Sequence, residues 1–263
     1  MFDSLYIGAT GMIAHQLQMD TIANNLANLN TIGFRRGLVT FADVSARVAA
    51  SALTAADRTA ASASASLLSG VGAVVQTSLS LLPGALQSTQ EPLNVAINGA
   101  GFFEVLRTDG TPAYARAGAL QINSDGLLAL SDGTPLSPQI QVPPDAGPLT
   151  ISPNGQVSTQ LAGATTPTVL GQIELVNFPN PAALMGAGAN QYTAPAAAGT
   201  LQTGKPGTAG LGQLQQGFLE ASNVDMNQEM TALLLAQRGF ELNSKVVQSA
   251  DQLWSLVNSL VHS

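Results

Sequence analysis

The run "DTIANNLANLNTIGFRR", Asp20 to Arg36, decides how this chain is read. Ile22, Ala23, Leu26 and Leu29 recur at helical spacing, yet the asparagines Asn24, Asn25, Asn28 and Asn30 share the run, and asparagine is a mediocre helix former. Toward the N-terminus Leu5, Ala9, Met12 and Met19 continue the pattern. The spacing predicts a helix from about Ser4 to Asn30, capped by Asp3 or Ser4 and ended by a left-handed turn at Gly33. Gly8 and Gly11 inside it each cost about 1 kcal/mol relative to alanine, which leaves this helix weak alone.

The same periodicity returns at the far end. Ser222 with Asp225 three residues later matches a capping box. Beyond it Met226, Met230, Leu233, Leu234, Phe240, Val247, Trp254, Val257 and Leu260 fall near a 3.5-residue spacing. They predict a final helix of about 38 residues, roughly 57 Å long. On that helix Arg238 and Glu241 stand three apart, close enough for an exposed ion pair.

Between the helices the texture changes twice. Residues 45–69 are rich in Ala and Ser with little periodicity and read as a connector. After Pro92 come the short β-prone runs "LNVAI", "GFFEVL" and "YARAGALQI", separated by the turn pairs Asp109-Gly110, Asp125-Gly126, Asp132-Gly133 and Asn154-Gly155. "GQIELVNF" follows, "NQYTA" is a candidate closing strand of the β domain, and a Gly/Ala/Pro-rich stretch, 181–212, reads as a long return loop. The organisation expected is an N-terminal assembly helix (1–33), an extended connector (34–90), a central β domain with its return loop (91–212) and a C-terminal assembly helix (213–263). The fold class is α+β: long terminal helices pairing as a coiled-coil-like core, a central all-β domain, and Ala/Ser/Gly-rich connectors.

Composition narrows function. Only 25 of 263 residues are charged, about a tenth against roughly a quarter in typical soluble proteins. Such a surface enters an interface with little charge to desolvate. The net charge of −7 and scattered basic residues argue against nucleic acid, which needs a basic stripe. The chain has no cysteine and two histidines, His15 and His262, so neither thiol chemistry, a Ser-His-Asp triad nor a multi-histidine metal site can be assembled. Asp125 and Asp132 lie in Asp-Gly turns, where the carboxylate serves local hydrogen bonds. "NGAGFFEV" lacks the third glycine and the following helix of a dinucleotide loop; its glycines suit a tight turn or close backbone approach. No cofactor and no metal are expected. The N-terminus has no basic segment or continuous apolar run of the kind a cleaved secretory signal carries, and no direct membrane insertion is expected.

"GMIAHQLQMDTIANNLANLNTIGFRR" resembles the N-terminal signature of the bacterial flagellar rod and hook family, an "ANNLAN" core followed by a T-x-GF-K/R turn. "EPLNVAINGAGFFEV", "YARAGALQINSDGLL" and "EASNVDMNQEMTALLLAQRGFELNSKVVQSADQL" are similar to its central and C-terminal motifs. The length, the "FADV" stretch at Phe41 to Val44 and the motif order most resemble distal-rod members, with proximal-rod or hook-type members as the alternative. Gly239 stands where the family often has alanine, and this departure is expected to loosen the last helix by roughly 1 kcal/mol.

The resemblance implies a helical homopolymer whose inner tube is built from the terminal helices. Its implied partners are further copies of itself, proximal rod proteins, hook or hook-junction proteins, surrounding ring proteins and the flagellar type III export apparatus; its implied location is the extracytoplasmic rod. The assembly interface is expected to use Leu5, Met12, Met19, Ile22, Leu26, Leu29, Gly33 and Phe34 from the first segment. From the last it is expected to use Met230, Leu233, Leu234, Phe240, Asn243, Val247, Leu253, Trp254 and Leu260. Asn24, Asn25 and Asn28 are expected to bond neighbouring subunits and so set register, and the glycine-weakened helices to order on assembly. A secreted adhesin or binding module, and an enzyme acting on the cell wall, are the readings from other classes; the first leaves the paired terminal stripes unexplained and the second lacks a credible acid and nucleophile.

Overall fold

The computed structural model describes residues 2–43, 73–80, 82–161 and 166–261. The Ala/Ser-rich connector predicted at 45–69 lies wholly outside them. The chain is α+β: helices α1 (Phe2–Ala27) and α2 (Met226–Val261, 36 residues) stand at the two ends of a strand-rich middle. The described residues fall into two compact units. One draws on residues 2–27, 37–43, 73–78 and 225–261, the other on 28–36, 79–80, 82–161 and 166–224.

In the first unit α1 and α2 pack antiparallel. Gly8 lies against Val247, Gly11 against Asn243 and His15 against Gly239, while Asn25 bonds Glu229, so positions fall on one helix as they rise on the other. The α2 start corrects the expected capping box. Asp225 itself is the cap, its Oδ1 accepting from the backbone N–H of Asn227 (2.8 Å) and Gln228 (3.1 Å), whereas Ser222 Oγ accepts from Val224 N–H just upstream. Strands β1 (Gly37–Asp43) and β2 (Ala73–Leu79) form a two-stranded sheet, and the Phe41 ring tilts onto His15 with 5.6 Å between centroids.

The second unit is built on β5 (Phe102–Leu106), β6 (Pro112–Ala115) and β12 (Leu175–Asn177), the centre of a six-stranded sheet. Side chains alternate across it. Phe103 and Val105 enter a core with Val95, Ile97, Leu128 and Leu175, while Phe102 turns to the opposite face with Tyr114, Phe178 and Tyr192. There the Tyr114 and Phe178 rings meet edge to face at 4.8 Å. The four Asx-Gly pairs are turns as expected, their glycines at φ between 76° and 88°. Asp109 and Asp132 accept the N–H two residues on, the local role assigned to such aspartates; at Asp125 the cap comes instead from Asn123.

Two stretches differ from the sequence reading. The 181–212 segment, read as a return loop apart from "NQYTA", carries β13 (Met185–Gly188) and β15 (Gln202–Gly204) besides β14 (Gln191–Thr193), which falls in "NQYTA" as expected; all three are in the six-stranded sheet. Residues 213–220, read as the head of the C-terminal helical segment, form β16 (Gln213–Gln216) and β17 (Phe218–Glu220). These pair with β4 (Val95–Asn98) and β3 (Leu86–Ser88). Their periodicity is carried by pairing with strands more than 100 positions earlier, which leaves no local signature.

Candidate functional site

Two features stand out, one in each unit. The first is the α1–α2 pair. Its closest approach is made at glycines: a Cβ on Gly8 would stand 2.7 Å from Val247 Cγ2, one on Gly11 2.6 Å from Asn243 Nδ2, and one on Gly239 2.5 Å from the His15 ring. The glycines that weaken each helix alone therefore let the two backbones come together. Gly239→Ala is the informative case. Helix propensity favours alanine by about 1 kcal/mol, yet His15, held by Gln18 at 3.2 Å, fills the space. We expect a net loss of about 1–2 kcal/mol, read as a lower denaturant midpoint of the purified chain; a gain would mean that His15 swings aside freely.

Asn25 answers part of the opening puzzle. It is buried, its Nδ2 donates to Gly37 O (3.0 Å) and Glu229 Oε2 (3.1 Å), and its Oδ1 accepts from Gly37 N–H (2.9 Å). This amide has partners within its own chain: it ties α1 to the start of β1 and to the first turn of α2. Asn28 Oδ1 accepts from Thr31 Oγ1 in the turn after the helix, and Asn24 is exposed. Asn25→Ala is expected to cost about 3 kcal/mol, from three lost bonds at about 1 kcal/mol each, measurable by equilibrium unfolding.

The remaining predicted positions divide by exposure. Ile22 is buried; Leu5, Met12, Met19, Leu26, Leu29, Phe34, Leu233, Phe240, Asn243 and Val247 are half-buried. Of these, Asn243 and Val247 face glycines of α1 in the same chain. Met230, Leu234, Leu253 and Trp254 are exposed, and so are Tyr6, Ile13, Leu235 and Leu242, which the sequence reading did not single out. The side chain of Leu260 lies outside the described residues. Gly33 takes the predicted left-handed conformation at φ 67°. Arg238 and Glu241 form the expected ion pair at 3.0 Å, both exposed, a contribution of a few tenths of a kcal/mol.

The second feature is a buried charge cluster in the β unit. Glu220, at the end of β17 and 2% exposed, accepts from Arg35 Nη2 (2.9 Å), Arg116 Nε (2.6 Å) and the Gly84 N–H (2.8 Å). Its own carbonyl accepts from Gly33 N–H at 2.7 Å. Arg116 also donates to the carbonyls of Ile97 (2.8 Å), Gly99 (2.6 Å) and Gly101, and Arg35 to that of Leu82. One carboxylate thus joins four segments far apart in sequence. Gly99 and Gly101, at φ 120° and 128°, supply the close backbone approach expected of "NGAGFFEV" and aim carbonyls at Arg116. Burial pulls the Arg35 guanidinium below its usual pKa and Glu220 opposes this. The signal in the sequence was Arg116 itself, a charge in the apolar run "YARAGAL".

Comparison with known proteins matches three segments of this chain. Residues 5–35, which take in α1 from Leu5 onward and the turn after it, match the family described as flagella basal body rod protein. Residues 96–159 match the flagellar hook protein FlgE/F/G D1 domain, and residues 215–260 the flagellar basal body rod FlgEFG protein C-terminal. Terminal helices around a β unit, matched in this order, define the class of flagellar hook and rod proteins. Flagellar basal-body rod proteins FlgG from Borreliella burgdorferi (37% identical), Agrobacterium fabrum (38%) and Bacillus subtilis (38%) align over 97–99% of this chain and 98–99% of their own length. The chain belongs to the FlgG family of flagellar basal-body rod proteins.

Proposed function

We propose that this chain is a structural subunit of the distal part of the flagellar rod, polymerising through its terminal helices into a tube that carries torque from motor to hook. Supporting this beyond family membership is one observation: in the single chain both helices leave large apolar side chains in water, among them Ile13 at 66%, Leu234 at 63%, Leu235 at 66% and Leu242 at 62% exposed. Large apolar side chains left in water on both helices suit a protein interface. Antiparallel pairing within the chain uses the glycine side of each helix and leaves these residues for other copies, so the helices form a coiled-coil-like core only when several chains combine. Densely packed helices have low compressibility and transmit strain without chemistry. The partners in this reading are further copies, proximal rod proteins, hook or hook-junction proteins, ring proteins and the type III export apparatus.

The test separates folding from assembly. Leu234→Glu combined with Leu242→Glu places charge on exposed positions, so the purified chain should unfold within about 0.5 kcal/mol of the parent. Cells carrying it should lose rods and swimming. Normal rods in cells with this pair would refute the helix-face interface.

A further inference from the structure

A pocket of about 500 Å³ opens beside the charge cluster, within the β unit. Its walls are largely apolar, with Phe102, Phe178 and Pro181 among them, and its polar lining comes from Arg35, Arg116, Ser80 and Asn177. Two guanidinium groups face one carboxylate here, so the cluster carries a net charge of +1 at the pocket wall. The whole chain carries −7; setting the +1 cluster aside leaves −8 for the remainder. Another copy, in which acidic residues outnumber basic ones 16 to 9, thus has carboxylates to offer a basic pocket. An apolar cavity with a few convergent polar groups is the usual form of a ligand site, and an arginine pair is suited to a carboxylate.

We propose that this pocket receives an acidic side chain, together with an apolar neighbour, from a second copy of this chain. The partner's identity rests on the polymeric reading above; the pocket's chemistry does not. A cavity of this size takes two or three side chains of a turn and excludes a whole helix, so the contact is a lateral one between β units. The charge cluster then has two roles: Glu220 holds the guanidinium groups in place, and their uncompensated charge selects the incoming carboxylate.

Two experiments decide it. For the pocket, the isotope-labelled purified chain is titrated with hexanoate and, separately, with hexanamide, following the amide resonances of Ser80 and Ala100. Saturable shifts with hexanoate are expected, at least fivefold weaker with hexanamide. They should also weaken at least fivefold in Asn177→Asp, which adds a like charge at nearly unchanged volume. No saturable shift, or equal affinity for the amide, overturns the pocket's chemistry. For the partner, a photo-crosslinking residue at the exposed, pocket-lining Ala100 is activated in assembled rods. The expected product joins two copies through a peptide bearing Asp or Glu beside an apolar residue. A crosslink to any other protein, or none in rods that have formed, overturns the second-copy assignment. Absence of this chain from purified rods would instead overturn the rod reading, leaving the hexanoate result to stand by itself.

Discussion

Replacing Glu220 by alanine is expected to cost about 3–5 kcal/mol, because it leaves two buried guanidinium groups without their shared carboxylate. Arg116 and Glu220 are each 2% exposed, and Arg35 6%, so water replaces the lost bonds only in part, from the pocket side. The carboxylate also anchors Gly84 and, through Arg35, the segment after α1. Loss at this one position should therefore loosen the turn after α1 and the strand edges together. Typical domains have only about 5–15 kcal/mol in hand, so much of the purified variant should be unfolded or aggregated at growth temperature. Chemical denaturation gives the magnitude. The triple variant Arg35→Met, Arg116→Met and Glu220→Leu should recover most of the loss, since an apolar substitute for a whole buried ion cluster is often neutral or better. A Glu220→Ala midpoint within 1 kcal/mol of the parent would mean that the cluster is hydrated in solution.

Gly118→Ala should be comparably damaging for a different reason. A Cβ at that position would stand 1.6 Å from the carbonyl oxygen of Val95 and 3.5 Å from Phe103. The obstruction is backbone in a strand, with Val95 N–H donating to Gly118 O at 2.8 Å, so no side-chain rotation relieves it. The two chains must separate by more than 1 Å, breaking that bond and opening the core around Val95 and Phe103, both fully buried. Overpacking ordinarily costs 1–3 kcal/mol, and a backbone clash this close should exceed about 3 kcal/mol. Hydrogen exchange at the Val95 amide reads the effect directly. Gly186→Ala is the control: nothing lies within 4 Å of its added methyl, and stability should stay the same or rise by up to about 1 kcal/mol. Equal stability of the two variants would show that the strand at Val95 yields freely.

How far the sequence could be read depended on the distance over which each feature is determined. The α1 and α2 periodicities and the four Asx-Gly turns are set by neighbours within a few residues, and they were legible. The glycines at 8, 11 and 239 were visible too, but only as lost helix propensity; their use as points of approach needs the partner helix more than 200 positions away. Asn25 stood out as an amide in an apolar run, yet nothing local shows that Gly37 and Glu229 receive it. The Arg35–Glu220–Arg116 cluster was the least legible, since its members sit in three separate motifs and meet only after the β unit has closed. In a chain with so few charges, an arginine inside an alanine-rich strand run was the available warning. Strands 213–220 were missed because an edge pairing with β3 and β4 shows no periodicity beyond its own few residues.

The proposal that this chain builds the distal rod is tested most directly by electron microscopy of basal bodies purified from a strain lacking its gene. Rods that stop short, without their distal segment and without a hook, are the predicted result, restored by the parent gene and not by the Leu234→Glu, Leu242→Glu variant. Complete rods bearing hooks in the deletion strain would contradict the account.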